Sequence, residues 1–588
     1  DSLACVFPDI DPFTPEVMKL SGLERRRVKC DGYMPDLTYV RGNRLEVNQT
    51  RVRAIADFKS CKYQEILVHP SGDKNMTFGG WSDSFTSGIR LRENVEFLVS
   101  VCENNASGTT SKTYHTLVPK RRDLAEELSF KFKRRDVTFS PKETLNVVMI
   151  GMDGVSRNHF MRAMNKTYEF PMNELGSFDL SMHTQVGVNT FPNVLALLTG
   201  SYENEIRRWW RTSGFLDTFD FVWKDFETAG YRTLYTEDQP TLGAFHLGRK
   251  GFRIPPTHHY SRPICLAIED DSSIWKAGRH CLGNLPEITF HYEYVKKYLE
   301  TFKGEPLFAM YFQTRISHDD ATTTKMADDH TYDFYKYLND SGHLNKTLLV
   351  SFSDHGIRWG RLRQTFNGLI ESRAPYTILT FPKWFLDKYP DAARNLKTNT
   401  ERLTTHFDTH ATLKDLIYFK SDRTGPLIPG IHGASLFGEL PKSRVCEDIP
   451  IPMEFCLCGQ GRIQELPSAS ELSHGLVDLV LRSVNHKTNK TKCANLHLEE
   501  IVNVAYITLK KDDGKEQRVF KIKFITSPGG ALYEGTITTT KFNNTLSVTV
   551  GETIDRLNFY EGQADCEPDV TKKAYCYCQD LFNQTTQS

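Results

Sequence analysis

The sequence predicts an α/β protein with a central, mostly parallel sheet, flanked by N-terminal and C-terminal disulfide-rich β modules. Three observations lead there. From about residue 143 to 440, apolar runs of strand length alternate with amphipathic helical stretches, as in a chain of βαβ units. Outside that region, short runs alternate apolar with polar residues and are bounded by glycine-rich turns. Most of the thirteen cysteines also lie outside it. A chain of 588 residues is too long for one hydrophobic core, and the texture divides it into an N-terminal β-rich module (1–142), a central domain (143–445) and a C-terminal cysteine-rich β module (446–588).

In the first module, Cys5, Cys30, Cys61 and Cys102 accompany the run 95-VEFLVSV-101 and the turn 79-GGWSDS-84, which predicts a small disulfide-stapled sheet. The charged stretch 120-KRRDLAEELSFKFKRRD-136 reads as a linker or surface helix. In the central region the expected strands are 145-LNVVMI-150, 231-YRTLY-235, 306-PLFAMYF-312, 347-TLLVSF-352 and 375-PYTILTF-381. The expected helices include 192–200, 290–302 and 331–342. Cys265 and Cys281 are expected to staple an insertion to itself. In the last module, 501-IVNVAYITL-509, 518-RVFKIKFI-525 and 545-TLSVTV-550 predict an antiparallel sheet. Its two C-x-C pairs lack the C-x-x-C spacing of zinc sites and are read as disulfide partners.

Lysine plus arginine and aspartate plus glutamate are both 73, so no charge excess points to a nucleic-acid polymer or an anionic membrane surface. No run approaches the ~20 apolar residues of a membrane span. Oxidisable cysteines and nine N-x-S/T sequons, at Asn48, Asn75, Asn105, Asn165, Asn339, Asn345, Asn489, Asn543 and Asn583, predict a secreted chain or an extracellular cell-surface ectodomain. Residues 1–13 carry no basic or apolar leader, so any signal peptide or anchor of the native protein is expected to lie outside this chain.

The chemistry collects where the strands end, the edge at which open α/β sheets bind ligands. The 145–150 run is followed by Asp153, the 231–235 run by Glu237 and Asp238, the 306–312 run by His318, and the 347–352 run by Asp354 and His355. Two carboxylates and an imidazole brought together repel or desolvate one another unless a cation sits between them. Mixed oxygen and nitrogen ligands suit Zn²⁺, with Mn²⁺ as the alternative, better than Ca²⁺. In 187-GVNTFPNVLALLTGSY-202, Thr190 precedes a helix that begins near Pro192. Its hydroxyl reads either as a helix cap or as a group at an anion-binding helix start. Trp209, Trp210 and Trp223 read either as core or as a stacking surface for a base or sugar.

The motifs M-D-G at 152–154, T-F-P-N at 190–193 with T-G-S-Y at 199–202, and S-D-H-G at 353–356 resemble the alkaline phosphatase superfamily, the threonine segment being closest to nucleotide pyrophosphatase/phosphodiesterases. The longer segments 234-LYTEDQPTLGAF-245, 316-ISHDD-320 and 351-SFSDHGIRWG-360 look like the sulfatase-like DUF229 family of animal extracellular proteins. The resemblance implies an alkaline-phosphatase-like α/β sandwich. It implies one metal held by Asp153, Asp354 and His355 with Thr190 at its edge as nucleophile, and His318 beside the substrate or at a second metal. A second metal set departs from the two-zinc pattern: Thr314 stands where an aspartate is expected, and Arg358, Arg361 and Arg363 follow the DHG turn. His406, His410 and His432 are candidates for a missing ligand, and Arg157 and Arg363 for a phosphate clamp. A threonine cannot become the formylglycine of sulfatases, so phosphoryl chemistry is preferred to sulfate-ester hydrolysis. The expected function is an extracellular metal-dependent phosphodiesterase or phosphatase acting on a phosphorylated small molecule, lipid or glycan, with phosphoethanolamine or a nucleotide as examples. The alternatives are a catalytically reduced binding or adhesion protein on the same fold and, after that, a sulfatase.

Overall fold

The computed structural model describes residues 5–585 except 31–35, 56, 106–107, 207–213, 421–431, 450, 460–463, 489, 511–515, 544 and 561. The central sheet has seven strands: β1 (Asn146–Met152), β2 (Phe178–Asp179), β3 (Arg232–Glu237), β4 (His259–Tyr260), β5 (Leu307–Gln313), β6 (Thr347–Ser353) and β7 (Thr377–Thr380). Their order is β4–β3–β5–β1–β6–β7–β2. Neighbours from β4 to β6 pair in parallel, while the β6–β7 and β7–β2 pairs are antiparallel. β1, β5 and β6 are buried at every residue, which explains their unbroken apolar runs: helices cover both faces. The two-residue period sends Val147 and Met149 into one core and Val148 and Ile150 into the other. The expected helices form at Thr190–Thr199, Glu287–Thr301 and Asp328–Asp340. Trp223 is fully buried between Phe221 and Tyr235 and is core; Trp209 and Trp210 lie outside the described residues.

The N-terminal residues form a four-stranded antiparallel sheet in the order Met76–Phe78, Phe58–Val68, Phe97–Asn104, Gly108–Thr116. Ile66, Phe97, Val99 and Tyr114 of this sheet join the same core as Val148 and Ile150 of β1. The charged stretch after it is a surface helix, Arg122–Phe139, with Phe130 and Val137 exposed. Of the four early cysteines only Cys61 and Cys102 pair with each other. Cys5 bonds Cys458 and Cys30 bonds Cys281, so two bridges tie this module to later parts of the chain. The expected Cys265–Cys281 pair does not form. Cys265 is free on the buried face of helix Arg262–Glu269, whereas Cys281 sits on a short hairpin against the N-terminal segment.

The C-terminal sheet is antiparallel and in chain order: β8 (Gln464–Leu466), β9 (His497–Lys510), β10 (Glu516–Ser527), β11 (Ala531–Phe542) and β12 (Thr545–Arg556). Helix Glu471–Lys487 lays Val477, Val480 and Val484 on the face that carries Phe520, Ile522 and Phe524. Both C-x-C pairs are disulfide-bonded, through Cys446–Cys456, Cys5–Cys458, Cys493–Cys576 and Cys566–Cys578. Seven of the nine sequon asparagines are exposed or half-buried. Asn489 lies outside the described residues, and so does the side chain of Asn583. Among the described residues no helix is long and apolar enough to cross a membrane.

Candidate metal centre

The neighbouring parallel strands β1 and β6 pair Met152 with Ser353, so the next residues, Asp153 and Asp354, leave the sheet side by side. Gly154, at φ +71°, turns the chain away at once, a conformation that glycine adopts without strain. Both carboxylates are fully buried and His355 is 2% exposed. Asp354 Oδ1 accepts from the backbone N–H of Gly154 at 3.0 Å and of His355 at 2.8 Å. Its other oxygen, Oδ2, has no hydrogen-bond partner, and neither has Asp153 Oδ1. These two orphaned oxygens lie 3.2 and 3.8 Å from His355 Nε2.

The tautomer of His355 follows from its other nitrogen. Nδ1 donates to the Gly356 carbonyl at 2.8 Å, which leaves Nε2 with a lone pair facing the carboxylates. Burial lowers the pKa of this imidazole, which keeps it neutral. Burial and the charge of Asp354 raise that of Asp153 well above the carboxylate range. Two carboxyl oxygens without a hydrogen-bond partner and an imidazole lone pair, all ligand atoms within 4.8 Å of one another, leave one another's acceptor capacity unmet. A divalent cation satisfies all three, so this donor set fits a metal.

Thr190 is the first residue of helix Thr190–Thr199, whose next eight residues are buried. Asn189, not Thr190, occupies the cap position, and its side chain makes no capping hydrogen bond. Its Oγ1 instead donates to Asp153 Oδ2 at 3.2 Å. The hydroxyl therefore stands at the rim of the acidic cluster, backed by the start of the helix.

His318 follows β5 and is half-buried. Its Nδ1 lies 2.7 Å from Asp319 Oδ1, and Asp319 is itself paired with the exposed Arg279. Burial lowers the pKa of His318, but the carboxylates of Asp153 and Asp319 outweigh it and raise the net value. Trp359 Nε1 donates to the His318 carbonyl and packs edge-on to its ring. Arg358 acts electrostatically on both Asp153 and His355. Thus the cluster has an imidazole and a guanidinium in its electrostatic surroundings, both able to carry positive charge.

The remaining sequence candidates go elsewhere. Arg157 is committed to Asp179, with Nε 2.9 Å from Oδ2 and Nη2 2.7 Å from it. Arg363 is 1% exposed and forks onto Glu534 of β11 at 2.9 and 3.2 Å. Neither guanidinium is free to clamp a phosphate, because each is already neutralised by a buried carboxylate. His410 bonds the Leu197 carbonyl and His432 bonds Glu205. His406 Nε2 donates to the Asp354 carbonyl at 2.7 Å, and its Nδ1 faces His183 Nε2 at 3.4 Å. His183, which nothing local in the sequence marks, thus stands with His406 behind Asp354. Asp238 accepts from the N–H groups of Thr314 and Arg315 and braces the loop that leads to His318. Glu237 closes onto Tyr235 and the Ala244 N–H.

The fold and site define a class: a buried Asp–Asp–His cluster that could hold a metal ion, with a hydroxyl at its rim, at the carboxyl edge of a parallel α/β sheet. Residues 35–502 match the family described as "Protein of unknown function (DUF229)", and the chain belongs to that family. Its structure is similar to the lipoteichoic acid synthase LtaP from Listeria monocytogenes at 13% identity, covering 53% of this chain and 81% of that one, with a TM-score of 0.36. It is similar to a protein in the alkaline phosphatase superfamily from Vibrio parahaemolyticus at 12% identity, covering 80% and 96%, with a TM-score of 0.34. It is also similar to the phosphonate monoester hydrolase SpPMH from Silicibacter pomeroyi at 13% identity, covering 75% and 94%, with a TM-score of 0.37. No curated protein matches the sequence.

Proposed function

We propose that this chain is an extracellular, metal-dependent hydrolase of phosphate esters, of the phosphodiesterase or phosphatase type found in the alkaline phosphatase superfamily. The observation that carries the reading is the pair of orphaned carboxylate oxygens facing His355 Nε2, with the Thr190 hydroxyl hydrogen-bonded to one of the same carboxylates. Asp153, Asp354 and His355, with Thr190 at the edge, would hold Zn²⁺ or Mn²⁺. When bound, such an ion supplies Lewis-acid stabilisation of charge on the phosphoryl oxygens and lowers the pKa of the neighbouring hydroxyl.

The chain's own groups divide the remaining work. Thr190 Oγ1 gives its proton to Asp153 Oδ2, its hydrogen-bond partner, as it attacks phosphorus and the bond to the ester oxygen breaks, forming a phosphothreonine, and it takes that proton back when water cleaves the phosphothreonine. His318, oriented by Asp319, gives a proton to the departing oxygen and takes one from the water that later hydrolyses the phosphothreonine. Arg358 faces the incoming phosphoryl group with positive charge. Burial keeps bulk water from the carboxylates, and His406 fixes Asp354 from behind. The substrate is a phosphorylated small molecule, lipid or glycan. Exposed sequons that carry glycans, together with six disulfides, suit an extracellular setting.

The test is turnover of bis(4-nitrophenyl) phosphate and 4-nitrophenyl sulfate by the purified protein, with elemental analysis for zinc and manganese. Thr190→Ala should lower phosphodiester turnover by at least about 10³-fold while leaving the metal content and thermal midpoint near those of the parent. Turnover within twofold of the parent removes Thr190 as nucleophile, and preference for the sulfate ester overturns the phosphoryl assignment.

A further inference from the structure

A cavity lies at the seam between the central domain and the C-terminal sheet, lined by none of Asp153, Thr190, Asp354 and His355. Its volume is about 310 Å³, at the lower end of the ~300–1,000 Å³ typical of small-molecule sites. One wall is the short helix Phe366–Glu371 and its surroundings, which contribute Phe366, Leu369 and Ile370. The opposite wall is the face of β9 and β10 turned away from helix Glu471–Lys487, with Ala505, Ile507 and Val519.

The two-residue period of β10 gives this wall an unusual composition. Phe520, Ile522 and Phe524 face the helix and fill the module's core. Val519, Lys521 and Lys523 therefore face the cavity. Lysines are rarely withdrawn from water unless paired with an acid. Lys523 has such a partner in Glu534, at 3.7 Å. Lys521 does not: its Nζ donates to the Glu454 carbonyl at 2.9 Å and to Thr536 Oγ1 at 2.8 Å. Among the described residues no carboxylate comes within ion-pair distance of it, and its ammonium has three donors for these two acceptors. Burial and the nearby Arg373 guanidinium push its pKa well below the lysine range, as expected of a cation short of compensating charge. Arg373 itself is spent on Glu534, Leu369, Ser372 and Glu454. The carboxylate of Glu465 stands exposed at the edge of the cavity, where the Asn503 amide donates to it.

The geometry points to this cavity as a binding site for a medium-chain carboxylate, its alkyl chain against Leu369, Ile370, Ala505 and Val519 and its head group paired with Lys521. A carboxylate is favoured over a phosphate ester because, of the cations lining the cavity among the described residues, Lys523 and Arg373 already share Glu534 and only Lys521 is without an acid partner, a single charge that matches a monoanion. This site is independent of the proposed phosphoryl chemistry.

The experiment is calorimetric titration of the full chain with decanoate, decan-1-ol and decyltrimethylammonium. Decanoate should bind saturably at one site, at least tenfold tighter than the alcohol, and the quaternary amine should not bind. Lys521→Met, which keeps the volume, should weaken decanoate at least tenfold and leave the alcohol unchanged. Ala505→Trp, which fills the space from the opposite strand, should abolish binding of both and decides the matter should Lys521→Met fail to fold. No saturable decanoate binding, equal binding of the quaternary amine, or decanoate affinity unchanged in Ala505→Trp overturns the assignment.

Discussion

Replacing Glu534 by glutamine should loosen the C-terminal module from the central domain. Glu534 is 2% exposed and receives both Nη atoms of Arg363 and Nη2 of Arg373, at 2.9 to 3.2 Å. Glutamine keeps the shape but removes the charge and turns an N–H₂ towards one guanidinium. The nearest other acid, Asp555, is 3.6 Å from Arg363 and its side chain is 23% exposed. Two buried cations are then left short of an anion, a change that costs about 3–5 kcal/mol. At roughly 2–4 °C per kcal/mol for a domain of this size, the thermal transition should fall by ~6–20 °C. Differential scanning calorimetry of both proteins measures it. The double variant Arg363→Met/Glu534→Leu should recover only part of the loss, because the apolar pair needs no counter-charge but Arg373, whose Nη2 also donates to Glu534, is still left without its anion. The sign with pH is also fixed. Burial raises the pKa of Glu534, but Arg363 and Arg373 outweigh it and hold the carboxyl far below its usual range. Its stabilisation is present above the unfolded value of about 4.3 and fades as pH falls below it, so the parent should lose its advantage over Glu534→Gln in acid. A transition that moves less than about 2 °C at neutral pH would refute the view that this carboxylate holds the seam.

Two other substitutions probe single groups. Burial pushes the Glu237 carboxyl up to about 7, so its contribution is fully present below the unfolded value near 4.3 and is lost as pH rises through about 7, by at most ~4 kcal/mol. The gap in urea midpoint between the parent and Glu237→Gln should therefore change between pH 5 and pH 8, and a constant gap contradicts the raised pKa. A Cβ on Gly356 would lie 1.9 Å from the backbone oxygen of Glu371, so Gly356→Ala should displace the DHG turn, cost about 1–3 kcal/mol and lower bound zinc in elemental analysis. Gly475→Ala, at a helical glycine with open space around it, should leave zinc unchanged and raise the midpoint slightly; normal zinc in Gly356→Ala would show that the close approach is dispensable.

The central sheet and the Asp–Asp–His cluster were legible in the sequence for a local reason. A parallel strand buried on both faces needs an unbroken apolar run, and the residues just past such runs emerge on one edge of the sheet. Knowing that β1 and β6 are neighbours is then enough to bring Asp153 beside Asp354, and His355 comes with it. Thr190 was less legible: its local sequence left a helix cap and an anion-binding helix start both open, the resemblance alone put it beside the cluster, and the fold sets its hydroxyl on Asp153. The third acidic strand end was only partly informative: Asp238 reaches the edge but spends its charge on the N–H groups of the His318 loop.

What stayed hidden depends on partners distant in the chain. Arg363 follows the DHG turn by a few residues, so nearness in sequence suggested a phosphate ligand; its true partner is 171 residues away, on a strand of another module. Cys281 has the same history, since its neighbour in sequence, Cys265, belongs to a helix face turned inward while Cys30 arrives from a separate module. His183 carries no motif at all and becomes significant only because strand residues 183–184 pair with 404–405 and set it against His406 behind Asp354. Charge makes the common point. The oxygens Asp153 Oδ1 and Asp354 Oδ2 fit a cation because no hydrogen-bond donor reaches them, whereas Arg157 and Arg363 lose their apparent role once Asp179 and Glu534 are found. A charged residue in a motif-rich stretch is thus a ligand candidate only when the folded chain leaves its charge unanswered, and in this protein the two kinds of site separate on that criterion.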